Sequence, residues 1–258
     1  MIQLQLNHQT VRIEAGELVG YQVDGHEFIH QKGSPGWRSS DTEMFPIIGP
    51  TATADFKVTT AKGEAVQDQH GLLREMEYEL QFQSETQARF QKIYSAGSPV
   101  KNSKYPEKST EAELSWPYDF RFEKHFELHE DGLEITFVIS GEVGMPFMLG
   151  YHPAFKLHSE NPLLNAGARR ITPPEVLAVG SRALQVAECN EMVLRDEKSL
   201  TIRTQGFGHF MLWTEVPNMV CIEPITFYPY AVEQKDLHQG FMQLGEGEAR
   251  LTVYIVPL

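Results

Sequence analysis

Two ionisable side chains stand where solvation and motion are restricted, and both suit proton transfer. His152 lies in MPFMLGYHPAFKL (Met145 to Leu157), after the apolar Phe147, Met148 and Leu149, with a permissive Gly150 before it and a rigid Pro153 behind. Backbone restricted in this way holds an imidazole still, as a proton donor requires. Glu223 closes the nearly apolar run MVCIEP. A carboxylate at the end of a buried strand has a raised pKa unless it is paired, which suits a general base. His70 and Arg74 flank Gly71 in QHGLLR and offer an imidazole and a guanidinium on a loop before a strand. Upstream, Trp37 and Arg38 lead through Asp41 into the buried-strand pattern MFPIIGP at 44–50. A fixed acid and a fixed base on opposite sides of one reacting centre each contribute ~10²–10⁴-fold to rate.

Metal chemistry is the first alternative. His26-Glu27-Phe28-Ile29-His30 fits the H-E-x-x-H pattern, but that pattern needs a helix, where residues four apart share one face. Gly25 precedes it, Gly33 and Pro35 follow, and the surrounding periodicity is that of a hairpin. On a strand the two imidazoles stand ~13 Å apart, too far for one zinc. The His-x-His spacing of a cupin-like site is absent, and His125 and His129 share a face with glutamates opposite Phe126 and Leu128, as on a solvated sheet surface. No metal site is expected.

The elements that must position these groups are strands. Two-residue alternation runs through Ile2, Leu4, Leu6; Val19, Tyr21, Val23 up to Asp24-Gly25; Met76, Tyr78, Leu80, Phe82; Phe120, Phe122, Phe126, Leu128; Leu133, Ile135, Phe137, Ile139 after Asp131-Gly132; and Leu251, Val253, Ile255. No helical stretch exceeds about two turns. The polar segment Ser95 to Ser115, with Pro99 and Pro106, reads as a long surface loop. No composition shift divides the chain, so residues 1–258 are expected to form a single all-β domain, one large antiparallel β-sandwich. A net charge of -13 repels phosphate backbones and anionic lipid, so neither nucleic acid nor membrane is an expected partner. Cys189 and Cys221 are too few for a disulfide framework and are expected reduced and buried. The alternating N-terminus shows no signal-peptide pattern, and a cytoplasmic location is expected.

In this order, MFPIIGP, HGLLR (His70 to Arg74), GYHPAF (Gly150 to Phe155) and LWTEVPNMVCIEP (Leu212 to Pro224) resemble the aldose 1-epimerases, or galactose mutarotase-like proteins, over roughly residues 20 to 230. The resemblance implies a β-supersandwich and a cofactor-free isomerase with an open, hexose-binding cleft. It also assigns roles. Glu223 matches the base that takes the proton from the sugar C1 hydroxyl, and His152 the acid that protonates the ring oxygen. His70 matches the second histidine on the ring, and Arg74 a hydroxyl-binding arginine. Such chemistry needs Glu223 ionised and His152 protonated together, a state their mutual attraction favours. Trp37, Phe155 and Trp213 are candidate platforms for the apolar face of a sugar.

The chain also departs from the family pattern. Pro50 stands where many relatives carry an arginine, and the aspartate of galactose-specific members has no counterpart. The short span before LWTEVP implies a trimmed cleft. Arg38 lies seven residues before Phe45, the spacing of a phosphate-binding arginine in hexose-6-phosphate mutarotases, but Ser39-Ser40 replace the Gly-Gly pair. A hexose phosphate as substrate and a non-catalytic sugar-binding module therefore stand as alternatives.

Overall fold

The alternation in Phe120–His129 and Gly132–Gly141 produces the longest hairpin of the molecule, paired from Phe120 opposite Gly141 to His129 opposite Gly132. In the computed structural model, which describes residues 1–258, this hairpin is the centre of a nine-stranded sheet. Gln87–Tyr94 and Glu79–Gln83 extend the sheet on one side, and Ala249–Pro257 with Leu200–Gln205 on the other. A second sheet carries Leu184–Val186, His209–Trp213, Met219–Ile225, Gly150–Tyr151 and Glu43–Met44 in that order, with Ala154–Lys156 also paired to Met219–Ile225. A four-stranded meander, Ile2–Leu6 to His26–Glu27, leads into them, and its last turn has Asp24 and Gly25 both at positive φ, the geometry an Asp-Gly hairpin turn needs. The one α-helix is Pro173–Val179, and no helix is long and apolar enough to cross a membrane.

The inner faces of the two large sheets meet through aromatic rings. Phe45 packs on Phe120 and Phe122, Phe122 on Phe137, and Phe137 on Tyr151, with centroids 5.0–6.0 Å apart. The architecture is the antiparallel all-β sandwich expected from the alternation.

Four local expectations need correction. Leu80 and Phe82 lie outward on the edge strand Glu79–Gln83, which is exposed along its length and bulged between them; there, the alternation marks no core face. Ser95 to Ser115 is not only surface. It forms a short ladder, Val100–Lys101 with Glu113–Leu114, and buries Asn102, whose amide donates to Asp68 Oδ2 and Ser109 Oγ. Cys189 is half-buried, and only Cys221 is sealed. Glu223 does not close its strand, which continues through Pro224, opposite Phe210, to Ile225.

The least expected core residue is Lys124. It sits on the inward face between Phe122 and Phe126, fully buried, and its ammonium is shared by Asp41 (2.7 Å) and Glu43 (2.6 Å). Burial pushes the Asp41 carboxyl up to about 6, while Lys124 and Lys92 overcome burial at Glu43 and hold it below its ordinary value. Removing the cation would leave two acids facing each other in the interior. Lys124→Met is expected to lower unfolding free energy by about 3–5 kcal/mol; urea denaturation with the midpoint unmoved would show that the triad is not needed.

Candidate active site

Residue parity along Met219–Ile225 decides what faces solvent. Cys221 and Glu223 lie on one side with their partners Trp213 and Met211, while Val220 and Ile222 enter the core. Glu223 is nevertheless only 1% exposed, because His152 covers it from Gly150–Tyr151. The His152 N–H donates to Thr42 O, and Nε2 lies 3.4 Å from Glu223 Oε1. Trp37 packs on the His152 ring at 4.4 Å and Trp213 at 6.0 Å. His30, the second histidine of H-E-x-x-H, bonds the Trp37 carbonyl through Nε2 at 2.9 Å; His26 stands instead in a strand, beside His158.

His70 reaches the same place by a strained route. Its φ is +74°, unusual for a residue with a Cβ, and Gly71 follows at +73° where a Cβ would lie 2.1 Å from Phe45 O. This tight passage delivers the imidazole to within 5.9 Å of the His152 ring. Its Nδ1 lies 3.0 Å from Ile48 O, which can only accept, so Nδ1 carries the proton and Nε2 accepts from the Gln69 side-chain amide at 3.3 Å.

These groups line one cleft of about 1010 Å³, at the upper end of the ~300–1,000 Å³ range of small-molecule sites. Trp37, Pro50, His70, Arg74, His152 and Glu223 all border it. Arg38 does not: it is exposed beside the cleft-lining Trp37 and Ser39. Phe155 is fully buried in the main core with its backbone paired to Val220, and it offers no surface to a ligand. Sequence reasoning missed the wall built by the 95–115 segment, which brings Ser103, Lys104 and Lys108 to the cleft, and the opposite wall at Arg182 and Tyr230. Polar side chains in a loop carry no periodicity that could have located them.

Electrostatically, the site is dominated by its dryness. Burial drives the His152 imidazole down to about 3 and pushes the Glu223 carboxyl well above its usual range; His70 is likewise held well below an ordinary histidine. Burial thus works against the charged pair that mutual attraction favours. Both shifts favour the neutral forms, an imidazole and a carboxylic acid 3.4 Å apart.

A family model described as aldose 1-epimerase matches residues 17–209. Among curated proteins, none matches the chain in sequence. Among solved structures the chain is similar to a galactose mutarotase-like protein from Lactobacillus casei, at TM-score 0.81 and 18% identity over 100% of both chains. It is also similar to a galactose mutarotase related enzyme from Lactobacillus acidophilus, at 0.77 and 18% over 100% of this chain and 97% of the other. A GalM/aldose epimerase homologue from C. elegans follows at 0.68 and 10%, covering 100% and 98%. At these identities the likeness is one of fold.

The resting form has a direct readout. In ¹⁵N NMR, His152 is expected to stay neutral as pH falls through 6.5 and to titrate only near 3. A transition at the ordinary histidine position would show that water or the carboxylate solvates the ring after all.

Proposed function

The chain belongs to the aldose 1-epimerase family, and from that premise we propose that it interconverts the α and β anomers of a neutral hexose, by acid and base catalysis within one domain. The observation that carries this reading is the 3.4 Å contact of His152 Nε2 with Glu223 Oε1 at the wall of a wide cleft, with His70 close by. Ring opening removes the proton of the C1 hydroxyl and delivers one to the ring oxygen. Glu223 takes the first and His152 gives the second; the aldehyde turns about its C1–C2 bond, and the steps reverse on either face.

Proton accounting joins this cycle to the dryness of the site. Opening starts from carboxylate and imidazolium and ends at carboxylic acid and imidazole, because one proton enters Glu223 as another leaves His152. The two charges cancel as the ring opens. A buried environment opposes separated charge, so it favours the open-chain stage relative to water. The neutral pair that burial favours is thus the protonation state of that intermediate. Return to the charged form needs only a proton moved between neighbours, and the hydroxyls of an entering sugar supply hydrogen bonds to both. His70, neutral with Nε2 as acceptor, binds a hydroxyl in place of the Gln69 amide, and Trp37 provides an apolar face.

A neutral sugar is favoured over a phosphorylated one because, of the two arginines on which phosphate recognition rested, Arg74 borders the cleft and Arg38 does not.

Polarimetry on freshly dissolved α-glucose and α-galactose tests the proposal. Wild type is expected to outpace Glu223→Gln by ~10²–10⁴-fold. A wild-type rate equal to that variant's would overturn it, and calorimetric sugar binding without turnover would assign a binding module instead. Catalysis needs one proton on the pair, so adding a second to His152 is the acid limb. With His152 lowered to about 3, the acid limb of the pH–rate profile is expected to fall only toward pH 3, and the raised Glu223 carboxyl sets the alkaline limb, where the pair loses its one proton. Arg38→Ala is expected to leave the kinetics unchanged, while Trp37→Ala raises KM.

A further inference from the structure

Cys221 has no part in the proton cycle, yet it stands two residues before Glu223 on the same face of the strand. Its Sγ, a ring nitrogen of His152 and a carboxylate oxygen of Glu223 all lie within 4.8 Å of one another, and all three residues are buried. His152 Nδ1 and Glu223 Oε1 are sealed from solvent with no hydrogen-bond partner. Orphaned buried polar atoms are rare, and the Glu223 oxygen, which lies beside His152 Nε2, marks a place where something else completes the coordination.

Geometry and donor type narrow what that is. Across a tetrahedral zinc with bonds of ~2.0 Å to nitrogen and oxygen, the two ligand atoms stand ~3.3 Å apart; His152 Nε2 and Glu223 Oε1 stand at 3.4 Å. One sulfur, one nitrogen and one oxygen form the mixed set that borderline-soft cations choose over magnesium or calcium. His152 and Glu223 both border the cleft, which leaves a fourth position for water.

We propose that His152, Cys221 and Glu223 form a binding site for a thiophilic divalent cation, zinc above all, and that its occupation shuts down proton transfer. On binding, the Cys221 S–H bond breaks as the sulfur–metal bond forms, and the proton leaves to solvent, as does that of the Glu223 carboxyl where present. Nothing is oxidised. Metal binding stands independently of the proposed isomerase activity; only the inhibitory effect rests on that reading.

Zinc chloride titrated calorimetrically into the full-length chain, metal-free at the outset, tests it. One ion per chain is expected, with affinity reduced at least about tenfold in Cys221→Ser and in His152→Gln, and unchanged in Cys189→Ser. A second grouping at the surface, His26, His158 and Glu197, is the competing site; affinity lost in His26→Gln and kept in Cys221→Ser would overturn the proposal. Cobalt(II) added to the wild type avoids reliance on any variant's folding: intense visible bands with a near-ultraviolet thiolate-to-cobalt transition are expected, and weak octahedral bands without it would refute the site. Zinc is expected to stop anomer interconversion reversibly, with chelator restoring it and Cys221→Ser keeping turnover in its presence. If zinc binds at these residues but no turnover exists to inhibit, the isomerase reading fails and the metal site stands. If turnover exists and zinc does not bind, the reverse holds.

Discussion

The cleft is held in shape by a charge with nowhere else to go. Lys124, fully buried in the nine-stranded sheet, must find anions across the sandwich, and it finds Asp41 and Glu43 on either side of Thr42. Asp41 Oδ2 also accepts from Tyr151 Oη at 2.7 Å, the Thr42 carbonyl takes the His152 N–H, and Tyr151 pairs with Glu43 in the ladder. His152 is therefore fixed on both sides by a segment pinned through one ammonium. A buried triad of this kind is weak evidence for stability, since well-packed apolar residues are often as good. Its effect here is on register: slipping Asp41–Met44 by one residue would turn both carboxylates away and leave three charges buried alone.

The same low polarity that makes the triad obligatory governs the cleft wall. Glu223 and His152 sit where water cannot solvate either, so both prefer neutrality, and their shared proton becomes the cheapest thing in the site to move. The aromatic cover supplied by Trp37 and Trp213 is part of this effect, because it shields the imidazole while leaving the cleft side open. A site tuned by desolvation needs no strongly charged neighbour to set it. Desolvation is the dominant cause at His152, with Arg74 a lesser one, and at Glu223 it is the sole resolved cause.

How much of this was legible follows from what alternation encodes. Phe120, Phe122, Phe126 and Leu128 gave a core face, and the structure has it. The same spacing placed Lys124 inward as well, but composition-based reasoning treats a lysine as solvated, so the triad passed unseen; a lysine in phase with phenylalanines was the available signal. Leu80 and Phe82 failed in the opposite sense, because periodicity cannot tell a central strand from an edge. His70, His152 and Glu223 converge through pairings between strands far apart in sequence, and only the ordered motifs hinted at that. Arg38 and Phe155 were one residue away from a cleft-lining or strand-facing position, and parity at that scale is decided by the backbone: Trp37 faces the cleft, Arg38 does not.

Parity also links the proton pair to the sulfur beneath it. On a strand, any side chain two places from Glu223 on the cleft side must share its environment, and Cys221 is that side chain. Burial raises the thiol well above its ordinary pKa, with Glu223 adding to the effect, so it is inert as a nucleophile at neutral pH. A cation would reverse that balance, because it supplies the positive charge the pocket lacks and a partner for the orphaned Glu223 oxygen. The features that let the pair pass a proton between neutral neighbours, dryness and unfilled lone pairs, are therefore the same ones that leave it open to capture by metal.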